Sequence, residues 1–272
     1  MIVNISNHDF TIQWDGVYYF ALSDYPNISK WELKKIISFI AYEKSYGRQT
    51  EIQCEDKRIL SAVNSAINHP ETMADALPPT KITECTQCKQ KGCLTEYVCH
   101  TASIENAKSI FRSGKLLSAT KAMNKKGTDL VHDKRNAAGD PADYFNYVMF
   151  AWGNCQAGDR LVMERKLNKS PNEQDLSLNF KPGVRFYFKY SNLMDHPSFV
   201  FDGYHPVKIK DELLIADFLV ACIIPESCKS QFENIVSDSI VDKVFYIKDD
   251  CKDIWDWSER VYNFVKKNHS SG

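Results

Sequence analysis

No apolar stretch in this 272-residue chain is long enough to cross a bilayer. A spanning helix needs roughly 20 apolar residues, and the longest run here, residues 213–224, is interrupted by Asp217. The opening residues, Met1-Ile2-Val3-Asn4-Ile5, carry neither the basic segment nor the apolar block of an export signal. A signal peptide is therefore not expected, and a cytoplasmic location is. Strong charge of either sign is missing as well. Lys and Arg number 34 against 35 Asp and Glu, a formal net charge of −1. With no global basic field, contact with a nucleic acid has to come from a local patch. Internal repeats and low-complexity tracts are absent too, which excludes solenoid and disordered classes and leaves an ordinary globular chain.

Cysteine, by contrast, is plentiful, with nine in all. Without an export signal these are expected as thiols rather than disulfides. Four of them crowd together at Cys85, Cys88, Cys93 and Cys99, the first two as a CxxC pair. Four thiolates suit a structural zinc ion, but a single CxxC with two irregularly placed partners falls short of two paired units. Zinc is possible there and not favoured; reduced thiols are the alternative.

The chain divides by composition. Residues 1–80 read as a small α/β domain. Its hairpin is signalled by Trp14-Asp15-Gly16-Val17, a helix cap by Asn27-Ile28-Ser29, and a helical stripe by Leu33, Ile36, Ile37 and Ile40. Leu60, Val63, Ala66 and Ile67 give a second, shorter helical stripe. A polar, proline-bearing stretch from residue 69 to 84 marks the boundary, and residues 81–96 form a cysteine-containing linker. From residue 97 to 272 strands predominate. They are expected at residues 147–152, 160–164, 185–190, 199–201, 213–224 and 243–247, with helices at 227–236 and 254–265 and a long surface loop at 124–143. The class expected is α+β.

Two segments about a hundred residues apart carry the chemistry. In Tyr97-Val98-Cys99-His100-Thr101, alternation puts His100 with Val98 on one face and Cys99 with Tyr97 on the other. Ile104, Ala107, Ile110 and Phe111 then form the inner side of a helix closing on Gly114, before Leu116-Leu117-Ser118. The second segment, Asp211-Glu212-Leu213-Leu214-Ile215, sets a carboxylate at the entry to an apolar strand. Each has a plainer reading. A lone histidine often bonds a neighbouring backbone carbonyl, and Glu212 is within reach, in sequence, of Lys208 or Lys210 as a surface ion pair.

The order and spacing of these segments, over residues 97 to 247, resemble the ADP-ribosyltransferase superfamily, in particular its DarT-like and PARP-like branches. The first segment is similar to the family's opening motif, a histidine at a strand end. The second is similar to its third motif, a glutamate beginning an edge strand. The resemblance implies a split β-sheet core with flanking helices, following the small N-terminal domain. It also implies NAD+ as substrate, with His100 and Thr101 among the groups that bind it and Glu212 stabilising the oxocarbenium-like ribose. The middle motif departs from the pattern. PARP-like relatives present a tyrosine in a strand to stack on nicotinamide; here Met149 or Phe150 falls in that place, and Phe150, Tyr147 or Tyr144 is the candidate ring, with a core role as the alternative for each. DarT-like relatives use a central arginine, for which Arg135 is the candidate. The resemblance further implies a toxin or defence effector with a nucleic-acid acceptor, a protein being the lesser alternative, and an antitoxin or other neutralising protein as a possible partner. Lys115, Lys121, Lys125, Lys126, Lys134 and Arg135 supply local basic charge for such an acceptor, although a solvated loop face explains the same lysines. Two further readings stand beside this one: an NAD+ glycohydrolase of the same fold, and a non-enzymatic zinc-binding adaptor.

Overall fold

The computed structural model describes residues 1–7, 11–78, 96–133, 136 and 139–269. The N-terminal unit contains β1 (Ile2–Ser6), β2 (Ile12–Trp14), β3 (Val17–Ala21), α1 (Lys30–Ser45), β4 (Glu51–Gln53) and α2 (Lys57–Asn68). Its sheet runs β2-β3-β1-β4, with β2 antiparallel to β3 and both partners of β1 parallel to it. Asp15 and Gly16, with φ of 45° and 79°, make the two-residue turn that joins β2 to β3. Helix α1 starts where the sequence places its cap: Ser29 accepts from the Glu32 amide while the Glu32 carboxylate accepts from the Ser29 amide. Alternate residues Val3, Ile5, Tyr18 and Phe20 meet Ile36 and Phe39 of α1 and Ile59 and Val63 of α2 in one apolar core.

The larger part begins with β5 (Tyr97–Ala102), α3 (Ile104–Ser113), β6 (Lys115–Leu117), α4 (Ala119–Met123) and α5 (Gly127–Leu130). It continues through β7 (Tyr147–Trp152), α6 (Ala157–Leu167), α7 (Glu173–Leu176), β8 (Val184–Lys189) and α8 (Tyr190–Met194). The remainder is β9 (Phe199–Val200), β10 (Val207–Lys210), β11 (Glu212–Leu214), α9 (Ile215–Phe218), β12 (Leu219–Pro225), β13 (Val244–Ile247) and α10 (Ile254–His269). Seven strands form one mixed sheet, ordered β13-β12-β8-β5-β7-β10-β9, and β6 with β11 forms a separate two-stranded ladder. The class is mixed α and β, as composition and pattern led one to expect.

Each face of the large sheet has its own core. Val98, Phe150, Phe186 and Phe188 pack against Ala107 and Phe111 of α3 and against Leu116 and Leu213 of the β6–β11 ladder. On the other face Tyr97, Cys99, Tyr187 and Ile223 pack against Met163 of α6 and Trp257, Val261 and Val265 of α10. Burial of each such side chain contributes about 1.5–3 kcal/mol, so both helical layers are held chiefly by apolar contact.

Several sequence expectations need correction. Residues 160–164, expected as a strand, lie inside α6; its buried residues, Asp159 and Met163, are four apart, the helical spacing, and Leu161 is exposed. Residues 213–224 are not one strand, because Ile215–Phe218 forms a helical turn around Asp217, and the Ile215 amide donates to the Gly114 carbonyl at 3.0 Å. The expected helix at 227–236 is only a 3-10 segment, Glu226–Gln231. The loop expected at 124–143 holds α5 and the start of a second 3-10 segment, Ala142–Asn146. The boundary expected at residues 80 and 81, and all of the linker save Glu96, lie outside the described residues.

The two parts are in intimate contact. Gly203, with φ of 77°, passes so close to α1 that a Cβ there would lie 2.0 Å from the Lys35 carbonyl oxygen. Nearby, the Tyr18 hydroxyl donates to the Gly203 carbonyl at 3.0 Å, and Trp31 stacks on Phe201.

Candidate functional site

The large sheet divides along β7. Its second half is laddered to β5 at Val98↔Trp152 and Cys99↔Ala151, whereas its first half pairs with β10, from Tyr147↔Lys210 to Phe150↔Val207. β5 continues beyond that point, paired on its other side to β8 as far as Ala102↔Val184. His100 stands where the β5–β7 ladder stops. Its ring bridges the strands, with Nδ1 3.1 Å from the Met149 carbonyl oxygen and its plane roughly edge-on to Phe150. A carbonyl only accepts, so Nδ1 carries the proton and Nε2 is left as an acceptor. Burial lowers the imidazole pKa, the Met149 contact offsetting part of that effect, and the ring is neutral at physiological pH.

The segment that follows His100 returns to meet Glu212. Through the β6–β11 ladder, Leu117 faces Glu212, Leu116 faces Leu213 and Lys115 faces Leu214. Gly114, with φ of 67°, makes the turn from α3 into β6. On the other side Asp211, at φ of 65°, turns the chain from β10 into β11, its amide donating to the Asn146 carbonyl and its own carbonyl accepting from Ser118. Asn146 immediately precedes β7, so the carbonyl that fixes Asp211 and the one that fixes His100 are three residues apart on one stretch of chain. At about 3.3 Å per extended residue this is a separation of about 10 Å. The two candidate residues thus bracket the half of β7 that β5 does not cover.

The Glu212 side chain is 42% exposed and its Oε1 accepts from Lys115 Nζ at 2.6 Å. This hydrogen bond and the charge beside it hold the carboxyl below its usual range, so it is ionised. The partner is Lys115, not the Lys208 or Lys210 that sequence proximity offered. A hollow of about 500 Å³ opens beside it, bordered also by Lys121, Lys210, His196, Ser198 and Phe218. His100 is not among its lining residues.

The remaining candidates fall in different places. Phe150 shares a face with His100 and is buried, its ring edge against Phe188. Thr101 belongs to the opposite face, where a Cβ on Gly158 of α6 would lie 2.4 Å from its Oγ1. Tyr144 is fully buried against the N-terminal unit: its hydroxyl donates to Gln13, and Lys208, Tyr42 and His205 pack around its ring. The structure therefore pairs His100 with Phe150 on one face of the sheet, sets Glu212 apart beside the hollow, packs Thr101 against α6 and buries Tyr144 against the N-terminal unit. Arg135, Lys134, Cys85, Cys88 and Cys93 lie outside the described residues. Cys99 is buried between β5 and the helical layer, and burial pushes its thiol up to about 12. Among the described residues no group of three or more His, Cys, Asp or Glu is arranged to hold a metal ion.

Sequence reasoning missed two buried charge systems. Arg185, fully buried in β8, reaches Asp159 of α6 through Nε at 2.8 Å and also contacts the carbonyls of Gly153 and Cys155, fixing the turn between β7 and α6. Lys208, fully buried in β10, pairs with Asp202 at 3.2 Å and donates to the Tyr42 hydroxyl at 2.7 Å. The signal for both was legible as a single charge inside an apolar strand, in Val184-Arg185-Phe186 and Val207-Lys208-Ile209.

No protein-family model, no curated protein and no solved structure matches this chain.

Proposed function

We propose that the chain is an NAD+-dependent ADP-ribosyltransferase whose dinucleotide lies between the end of the β5–β7 ladder, at His100, and the hollow beside Glu212. The observation that carries this reading is the β6–β11 ladder. It joins the segment after His100 to the segment opened by Glu212, two stretches separated by about a hundred residues and chosen together from the order and spacing of the sequence.

The chemistry follows from the protonation states. The bond between nicotinamide and its ribose breaks with the electron pair leaving on nicotinamide, and positive charge develops over C1′ and the ring oxygen of the sugar. An ionised carboxylate close by stabilises that charge, and such preorganised electrostatic stabilisation is commonly the largest single contribution to rate. Glu212 is the group in the right state. It then takes the proton from the nucleophile that attacks C1′. Neutral His100, with Nε2 as acceptor, suits a sugar hydroxyl and would be poorly suited to an anion. Lys121 and Lys210, beside Glu212, offer cations to a phosphate and favour a nucleic acid as the acceptor.

The test is incubation of the full chain with biotinylated NAD+ and, in separate reactions, DNA, RNA and cell lysate. Label on a nucleic acid supports the proposal in full. Label on protein alone moves the acceptor but keeps the transfer. Nicotinamide release with no labelled macromolecule identifies a glycohydrolase, and no turnover of NAD+ at all removes the reading.

A further inference from the structure

We infer that the N-terminal unit is a positioning element for the candidate site, holding β7 and β10 in the placement from which the chain turns at Asp211 into Glu212. The inference rests on the reading of Glu212 as the catalytic carboxylate. Its physical basis is a buried chain of alternating charge between the two parts. Asp202 pairs with Lys208 Nζ at 3.2 Å, and Lys208 donates to the Tyr42 hydroxyl at 2.7 Å. Tyr42 in turn donates to Asp143 Oδ2 at 2.6 Å, and Arg48 joins Asp143 to Glu43 at 2.6 and 2.7 Å. Tyr42 and Glu43 belong to α1 and Arg48 follows it, whereas Asp143 and Lys208 belong to the segments leading into β7 and along β10.

The register makes this network specific to the site. Lys208 lies opposite Met149, the residue whose carbonyl holds His100, and four positions before Glu212. The rings of Tyr42, Tyr144 and Tyr147 pack around its ammonium at 4.1, 3.8 and 4.4 Å. Tyr147 opens β7, and its hydroxyl lies 2.8 Å from that of Tyr46, the residue capping α1. The paired strands β7 and β10 are thereby both tied to α1. Among the described residues no hydrogen bond or ion pair joins α1 to β8 or β12, whose placement comes from the Arg185–Asp159 pair and the packing of α10. A fully buried ammonium is costly without partners: Asp202, Tyr144 and Tyr147 come from the larger part, and Tyr42 completes the set from α1 when the N-terminal unit is docked.

The experiment is backbone hydrogen exchange on the full chain, comparing the native protein with Lys208→Met and Tyr42→Phe, beside steady-state NAD+ turnover for each. The expected result is exchange at least about tenfold faster at residues 147–149 and 210–214, with residues 184–189 and 219–224 unchanged, because local opening is reported segment by segment. Where the native protein turns over NAD+, kcat is expected to fall in both variants with KM nearly constant, the mark of a displaced carboxylate rather than a damaged binding surface. Tyr42→Phe keeps the ring and removes only the hydroxyl, so it decides the matter if Lys208→Met does not fold. Exchange that is unchanged, or that rises equally in both halves of the sheet, overturns the inference. Because exchange needs no activity, a native protein that fails to turn over NAD+ removes the functional reading while the exchange pattern still judges the positioning role.

Discussion

Lys115 and Glu212 lie 2.6 Å apart, and this one contact makes the carboxylate a stronger acid than an isolated glutamate. A base must be ionised to work, so the acidic limb of the pH–rate profile should report Glu212. Replacing Lys115 with Met removes the hydrogen bond that lowers its pKa, and the limb should move to higher pH. A profile that stays in place would mean that another group titrates. The Arg185–Asp159 pair, with both side chains fully buried, gives a stability prediction of a different kind. Asp159→Ala leaves a guanidinium buried without its carboxylate, which costs about 3–5 kcal/mol. Urea denaturation should show that loss, and a variant within about 1 kcal/mol of the native protein would argue that water or another acceptor replaces Asp159.

Among elements, legibility in the sequence tracked whether a local rule decided the outcome. Asp15-Gly16 fixes a hairpin turn, Ser29 with Glu32 fixes the start of α1, and Gly114 fixes the end of α3, each through chemistry confined to a few residues. The errors arose where tertiary context chose. Residues 160–164 have no strong period, and packing on β5 makes them helical; residues 213–224 are apolar save Asp217, and the break falls at that residue, in a turn held by the bond from Ile215 to Gly114. At the site, the pairing of β6 with β11 depends on contacts across a hundred residues and left no sign in either segment alone. The resemblance implies Thr101 as a dinucleotide contact and Tyr144 as a ring to stack on nicotinamide, whereas strand alternation turns the first toward α6 and the second is buried against the N-terminal unit. Gly203 offers the sharpest element-level test. Its positive φ and its closeness to the Lys35 carbonyl leave no room for a methyl group, so Gly203→Ala should separate the Phe201–Gly203 segment from α1. Overpacking of this kind costs about 1–3 kcal/mol or more, visible as a lowered Tm; an unchanged Tm would show that the two surfaces separate at little cost.

At the scale of the whole molecule, the buried chain from Asp202 to Glu43 should make the two parts unfold together. Trp31 of the N-terminal unit and Trp257 of α10 lie in different parts of the chain, so fluorescence and far-ultraviolet dichroism should give coincident transitions in the native protein. In Lys208→Met the transitions should separate, the N-terminal unit melting first. Two separate transitions in the native protein would instead describe independent domains in loose contact. The central claim, that Glu212 acts on NAD+ held between the end of the β5–β7 ladder and the hollow beside this carboxylate, has a more direct measurement. Native protein and Glu212→Gln, each confirmed as folded by its dichroism spectrum, are given biotinylated NAD+ under identical conditions, and released nicotinamide is quantified. The account predicts turnover by the native protein and a loss of about a hundredfold or more in the variant, the scale on which a key electrostatic group acts. Equal rates in the two proteins would contradict it.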